Sequence, residues 1–452
     1  MEVQSPHPAA SPLKEPHRTI GFLWISLLAA VFLLAAYSNS FHQFFKLGDR
    51  EFIEGNLYVQ GLESIPQLFS DPREALSIPA DVPYRPVLSL SLTFDYWMAG
   101  GVDPWQFHLT QFVLVALLGI GFAAIGQFVL DRAAIHWSNK YIALVAALLY
   151  CVHVANAETL ISLSSRGNLL AMLGVVGSFA MYGRLPLWRP SHLYLLPMML
   201  GTLAHPAGAL FVPLLLVYGL LFEKRLSCRE MCSPNAWPKI RHALGKVAPA
   251  FLTGTALLLF LDSVDSLQKT GNESVADTLL LQPFLWLYTA QRFFIPFGAL
   301  NDMVWPVSLS VVDPRFSAGM IGLAILGRIG WACSQTRELR PVTFGIMWCI
   351  LGMFGAASTG APEIGMPQPQ VLFSFMGLTL SVMSWIAYQV QRCRWGFLGR
   401  QSLMIPMVCV LGLVVLAAHA VGTYQRHAGG FPTASPSEVS RAERPVPPYH
   451  RM

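Results

Sequence analysis

Long apolar blocks bounded by charged residues alternate with short polar connections along nearly the whole chain. The blocks fall at 20–38, 106–130, 140–156, 168–183, 192–204, 207–222, 247–262, 316–332, 341–357, 370–390 and 402–422. A helix needs about 20 mostly apolar residues to cross a bilayer, so the pattern predicts an all-α polytopic membrane protein of about eleven transmembrane helices. The first block, Ile20–Tyr37, follows a polar, Pro-rich stretch and lacks a small-residue cleavage site, which reads as a retained helix rather than a signal peptide. The expected plan is a cytoplasmic segment 1–19, a transmembrane domain 20–422 and a disordered outer tail 423–452 that has little with which to form a core. No internal repeat is visible.

Two regions depart from simple alternation. Thr278–Leu300 is apolar enough to span, yet a crossing there would invert every later connection, so it is expected to be re-entrant or interfacial. Arg292 inside it fits a residue facing a cavity, because a charge at membrane depth is costly. Residues 39–105 form a long first outer loop, rich in acids and broken by prolines, with amphipathic stretches near 41–60 and 88–98 that suit helices lying on the membrane surface.

Charge sharpens this picture. The 452 residues are 54% hydrophobic and only 12% charged, against about 25% charged in a soluble domain, which argues against a soluble enzyme or a nucleic-acid-binding protein. Lys14 and Arg18, Arg132 and Lys140, Arg184 and Arg189, the cluster Lys224 to Lys246, Arg328 to Arg340, and Arg392 to Arg400 all fall on one side if the N-terminus is cytoplasmic. The net charge of +5 therefore speaks of topology first. The seven cysteines lie in spans or in loops on that side, so no disulfide framework is implied. Cys228 and Cys232 lack a matching ligand pair, which speaks against a metal site there.

The remaining ionisable residues gather at the outer ends of spans. Asp49 and Glu51, about ten residues after the first span, are of the type that serves as a general base, and equally of the type found as solvated loop acids. Tyr84-Arg85-Pro86, Phe94-Asp95-Tyr96 and Phe107-His108-Leu109 follow. The next cluster is His153, Asn156, Glu158, Ser162 and Arg166. If that stretch is one helix, Glu158, Ser162 and Arg166 share a face, either to hold a phosphate or as a structural Glu/Arg pair. His108 and His153 each suit either a ligand contact or a bond to a backbone carbonyl. Asp49, Glu51 and Glu54 have the oxygen ligands a divalent metal takes, but no arrangement demands a cofactor.

The order and spacing of these clusters resembles the GT-C membrane glycosyltransferases, closest to the branch of tetratricopeptide-repeat transmembrane O-mannosyltransferases and their bacterial relatives. The family's acidic pair with I-x-x-N is similar to Gly48-Asp49-Arg50-Glu51-Phe52-Ile53-Glu54-Gly55-Asn56. Y-R-P-[LV] resembles Tyr84-Arg85-Pro86-Val87, and F-H-x-x-N resembles Phe107-His108-Leu109-Thr110-Gln111. The histidine-to-arginine signature resembles the stretch from His153 through Asn156, Glu158 and Arg166 to Asn168-Leu169-Leu170, and a later element resembles Arg292-Phe293-Phe294-Ile295-Pro296 with Leu300, Asn301 and Asp302. The likeness covers roughly residues 20 to 390. Departures are plain: Gly48 stands for the first acid, Asn156 for the second motif histidine, His205-Pro206-Ala207 near a Lys-Glu pair, Gln368-Pro369-Gln370 near E-H-R-x-Y-L-P, and the repeats are absent.

The resemblance implies transfer of a sugar from a polyprenyl-phosphate donor, with inversion, to an acceptor on the outer face of a bacterial-type inner cell membrane. The acceptor is expected to be a surface or secreted protein, or else an envelope glycan. Asp49, or Glu51 in a shifted register, becomes the base. Arg85, His108, His153, Glu158, Arg166 and Arg292 become the donor phosphate and sugar contacts. Membrane lipids are the other expected partner, and no nucleic acid. Two rival readings are a lipid-linked sugar transporter or flippase, which predicts charges near the midplane and related halves, and an inactive relative acting as a binding or assembly protein.

Overall fold

The computed structural model describes residues 15–45, 49, 53, 59–70, 84–163, 165–265, 275–295, 311–356, 371–392 and 401–428. Among the described residues all regular structure is helical. α1 is Glu15–Tyr37, α2 Pro86–Ala99, α3 Pro104–Ala133, α4 Asn139–Val152, α5 Val154–Ile161, α6 Arg166–Arg184 and α7 Leu195–Ala204. α8, Phe211–Tyr218, is flanked by a 3-10 turn (Pro206–Leu210) and a π turn (Gly219–Glu223). α9 is Trp237–Asp265, α10 Val275–Phe294, α11 Pro314–Ser334, α12 Arg340–Ala356, α13 Val371–Arg392 and α14 Gln401–Ala428.

Each of the expected apolar blocks is helical, but the expected number of crossings is larger than the helices alone support. Among the described residues 6 helices are long and apolar enough to span, and up to 7 if α4 and α5, bent by 58°, count as one. The others fall short for identifiable reasons. α7 has only 10 residues. α6 has 19 residues and begins and ends with arginine. α14 runs to Ala428, beyond the expected end of the domain at 422.

Positive charge collects at one end of the bundle. There Glu223 accepts from Arg189 (3.3 Å), Lys246 (2.9 Å) and Tyr182 (3.1 Å). Arg340 donates to the Leu221 carbonyl (3.2 Å), and Gln391 to Asn139, which donates in turn to Asp131. These contacts tie together the connections that the sequence grouped on one side. Trp24, Trp137, Trp188 and Trp237 are exposed near this end, and Trp97 and Trp105 near the other, as interfacial anchors would be. At that other, loop-bearing end, Tyr37 donates to the Cys151 carbonyl (2.6 Å) and Thr423 to that of Val152 (2.8 Å).

The helices pack through small residues. A Cβ on Gly352 would lie 2.9 Å from the Ser374 amide nitrogen, and Gly345 and Gly377 face each other as closely across α12 and α13. α10 has an unusual sense. Pro283 meets Gly319 and Trp286 meets Gly322, so α10 and α11 run parallel although they are consecutive in the chain.

The close α12–α13 contact makes a prediction. Gly377→Val is expected to destabilise the protein by about 1–3 kcal/mol through overpacking, while Gly245→Ala, whose Cβ meets nothing within 4 Å, is expected to be neutral or stabilising. Thermal unfolding in detergent checks both, and equal midpoints would refute the packing argument.

Candidate functional site

The loop end is assembled around the start of α6. α2 begins with Arg85 at its N-cap and Pro86 in the first helical position. It ends at Gly100, whose φ of +67° is readily adopted only by glycine. After this turn Asp103 caps α3 by accepting from the Trp105 amide (3.1 Å). α2 thus folds back against the first turns of α3. α3 has 30 residues, about 45 Å, so it overreaches a hydrocarbon layer of about 30 Å and its first turns carry side chains beyond it.

Arg166 opens α6 and is 0% exposed. Its Nε donates to Gln111 Oε1 (3.0 Å), Nη2 to the Phe107 carbonyl (2.9 Å), and Nη1 to Ser91 Oγ (3.3 Å) and to the carboxylate of Asp95. A cation opening a helix faces the positive end of the helix dipole, so these partners offset both burial and dipole. Asp49, 2% exposed, adds a second negative charge that acts on Arg166. Burial pushes the Asp95 carboxyl above its ordinary value, and Arg166 pulls against that shift. Gln111 completes the network by donating to the carbonyls of Leu160 (2.7 Å) and Ser162 (3.3 Å) at the end of α5. Apolar packing of Ile53, Val59, Leu88, Leu92, Phe107 and Leu163 encloses it.

The face expected to carry Glu158, Ser162 and Arg166 does not form. α5 ends at Ile161 and α6 starts at Arg166, so Ser162 lies in the break between them. The described ion-pair partner of Arg166 is Asp95, from a distant loop helix. Glu158 lies in α5, but its side chain is outside the described residues, as is all of Glu51.

His153 fills the kink between α4 and α5. Its Nδ1 accepts from the Ala155 amide (3.3 Å), which leaves Nε2 to donate to the Phe293 carbonyl (3.2 Å) at the end of α10. The ring stacks on Phe293 (5.6 Å) and lies 4.3 Å from His419 of α14, whose Nδ1 accepts from the Val154 amide. Arg292, beside Phe293, is 8% exposed with its guanidinium over the Tyr288 ring (4.7 Å). His108, 3% exposed, lies in the first turns of α3. Arg85 reaches the start of α6, with Nη1 3.6 Å from where a Cβ on Gly167 would stand. Asp49, Arg85, His108, His153, Arg166 and Arg292 therefore all belong to the loop end.

The main omissions of sequence reasoning are Asp95, Gln111 and His419 as partners of the expected residues. Asp95 had a signal, an acid in the apolar run Leu90-Ser91-Leu92-Thr93-Phe94-Asp95-Tyr96-Trp97. His419 had none beyond being polar within a span. Among the described residues no group of three or more His, Cys, Asp or Glu is placed to hold a metal ion.

No family model matches the chain. It is 23% identical over 178 residues to Protein O-mannosyl-transferase TMTC4 of Homo sapiens, covering 37% of this chain and 24% of that protein. It is 22% identical over 156 residues to Protein O-mannosyl-transferase TMTC3 of Homo sapiens, covering 33% and 16%, and 24% identical over 169 residues to the Mus musculus TMTC4 protein, covering 35% and 23%. The matches thus span less than a quarter of the length of these relatives. The chain is a multi-pass, all-α membrane protein distantly related to the O-mannosyltransferases.

Proposed function

We propose that the chain is a GT-C-type glycosyltransferase that moves a sugar from a polyprenyl-phosphate donor to a hydroxyl acceptor at the loop end. The basic end faces the cytoplasm by the positive-inside rule, which puts the reaction on the outer face of a bacterial-type inner membrane. The acceptor is a Ser/Thr hydroxyl of a surface or secreted protein, with an envelope glycan as the second choice. The observation that carries the reading is Asp49, a carboxylate 2% exposed, next to the Arg166 network and on the same bundle end as Arg85 and Arg292.

The chemistry follows from those roles. The Asp49 carboxylate accepts the acceptor's hydroxyl proton as its oxygen attacks the anomeric carbon; the bond from that carbon to the phosphate oxygen breaks, and configuration inverts. Negative charge then grows on the departing lipid phosphate. Arg85 and Arg292 are the cations to stabilise it. His108 and Glu158 are proposed to contact donor sugar or phosphate, and Glu51 to act as base in a shifted register. Arg166, with four protein acceptors, and His153, bonded to Phe293, act by position, setting Asp49 and the end of α10. The parallel course of α10 and α11 supports a re-entrant α10.

Two predictions test these roles. Asp49→Asn is expected to lower transfer about 10²–10⁴-fold with the folded yield retained. The readouts are intact-mass measurement of secreted proteins and glycosylation of surface material in a complemented deletion strain; full complementation would exclude Asp49 as the base. Arg166→Gln is expected to cost about 3–5 kcal/mol of stability by stranding Asp95. Adding Asp95→Asn is expected to recover part of that loss in a double-mutant cycle, and strictly additive losses would contradict the pairing.

A further inference from the structure

α7 ends at Ala204, and His205 opens the 3-10 turn that leads into α8. His205 is 1% exposed. Its Nδ1 accepts from the Ala207 amide (3.2 Å), so a neutral ring carries its proton on Nε2. That N–H has no acceptor. Buried donors are nearly always paired, so the ring is aimed at a group the protein itself does not supply.

The surroundings say what kind of group fits. The positive charge of Arg85 acts on the His205 ring. The point 3.6 Å from Arg85 Nη1, where a Cβ on Gly167 would stand, is 2.8 Å from the carbonyl of Ala204, the residue before His205. A guanidinium and an unmet N–H therefore share one corner between α2, α6 and α7. Donors converging beside a fixed cation call for an anion with several acceptor oxygens.

An apolar groove is lined by the stretch of chain that follows His205. It has a volume of about 570 Å³ and runs between α8 and α9, with Ala209, Val212 and Leu216 on one wall and Leu244, Phe251 and Leu258 on the other. Ala209 is four residues past His205, and Phe260 of α9 packs on Tyr84 (6.2 Å), the residue before Arg85. From Leu244 to Leu258 the groove follows α9 for about 21 Å, more than the roughly 15 Å of hydrocarbon in one leaflet. An anion-matched corner and, from four residues further along the chain, a leaflet-long apolar groove match the two parts of a lipid phosphate.

We propose that His205, with Arg85, holds the phosphate of the polyprenyl-phosphate-linked donor, and that the groove between α8 and α9 holds its isoprenoid chain. The proposal rests on the donor reading above and adds to it a binding residue and a path for the tail. His205 donates one hydrogen bond from Nε2 to a phosphate oxygen while Nδ1 stays on the Ala207 amide.

Two substitutions separate this role from simple capping. His205→Asn keeps an acceptor near Nδ1 and loses the Nε2 donor; His205→Gln keeps a donor near Nε2 and loses the acceptor. The test uses the full chain in phosphatidylcholine nanodiscs, with undecaprenyl phosphate as the probe and binding read by native mass spectrometry. His205→Asn is expected to weaken binding about tenfold or more, and His205→Gln to stay within about threefold of wild type. The reverse order identifies a cap and overturns the assignment.

The groove is tested by Gly254→Leu, since a Cβ at Gly254 would already lie 3.1 Å from Val212 Cγ2. About tenfold weaker binding of undecaprenyl phosphate with unchanged binding of geranyl phosphate supports it. Equal effects on both, or none on either, remove the groove, and phosphatidic acid competing as well as undecaprenyl phosphate overturns the isoprenoid occupant. A wild-type chain that binds no undecaprenyl phosphate sinks the donor reading itself. Binding indifferent to both His205 variants leaves that reading standing and sinks this one.

Discussion

The loop end depends on the burial of one cation. Arg166 has given up all contact with solvent, and a guanidinium with five N–H donors is tolerated there only if acceptors surround it. They come from three separate stretches: Ser91 and Asp95 on α2, Phe107 and Gln111 on α3, and the charge of Asp49 from the segment before them. None of these is a sequence neighbour of Arg166. Its desolvation thus forces the first loop down onto the start of α6, and the apolar cluster around Phe107 closes over the result. Gln111 passes the constraint on by satisfying the last carbonyls of α5, where a helix would otherwise leave them unpaired.

A second constraint separates the two ends. Charge is scarce, 12% of residues, and most Lys and Arg gather at the end where Glu223 and backbone carbonyls anchor several of them. Among the described cations at the other end, Arg166 is held by an ion pair with Asp95 and Arg292 lies over an aromatic face. α10 joins this arrangement from the side. Because it lies parallel to α11, its last turn enters the bundle and meets His153 instead of crossing to the basic end.

Much of this was legible in the sequence. The apolar blocks marked every long helix, since 20-residue hydropathy depends on composition alone, and the outer clusters marked the end where the buried polar groups lie. What could not be read is pairing. Periodicity offered Glu158, Ser162 and Arg166, successively four apart, as one face, but that inference needs an unbroken helix, and the chain leaves the helix between Ile161 and Arg166. The described partner, Asp95, is 71 residues away, and loop closure over such a distance leaves no local pattern. The number of crossings is not fixed by apolar blocks alone: among the described residues 6 helices, or up to 7, are long and apolar enough to span.

The two arginines nearest the start of α6 illustrate how the fold divides labour. Arg166 commits its donors to Gln111, Ser91, Asp95 and Phe107, and a ligand phosphate would have to displace Asp95 to reach it, stranding a buried carboxylate. Arg85 stands one residue position away, beside Gly167, where a Cβ would lie only 2.8 Å from the Ala204 carbonyl, so no side chain fits. Glycine there lets α6 and α7 approach closely beside Arg85. Arg166, its donors spent on protein acceptors, is therefore suited to rigidity, while the charge of Arg85 acts on the His205 ring, a difference invisible in a motif that treats both as arginines.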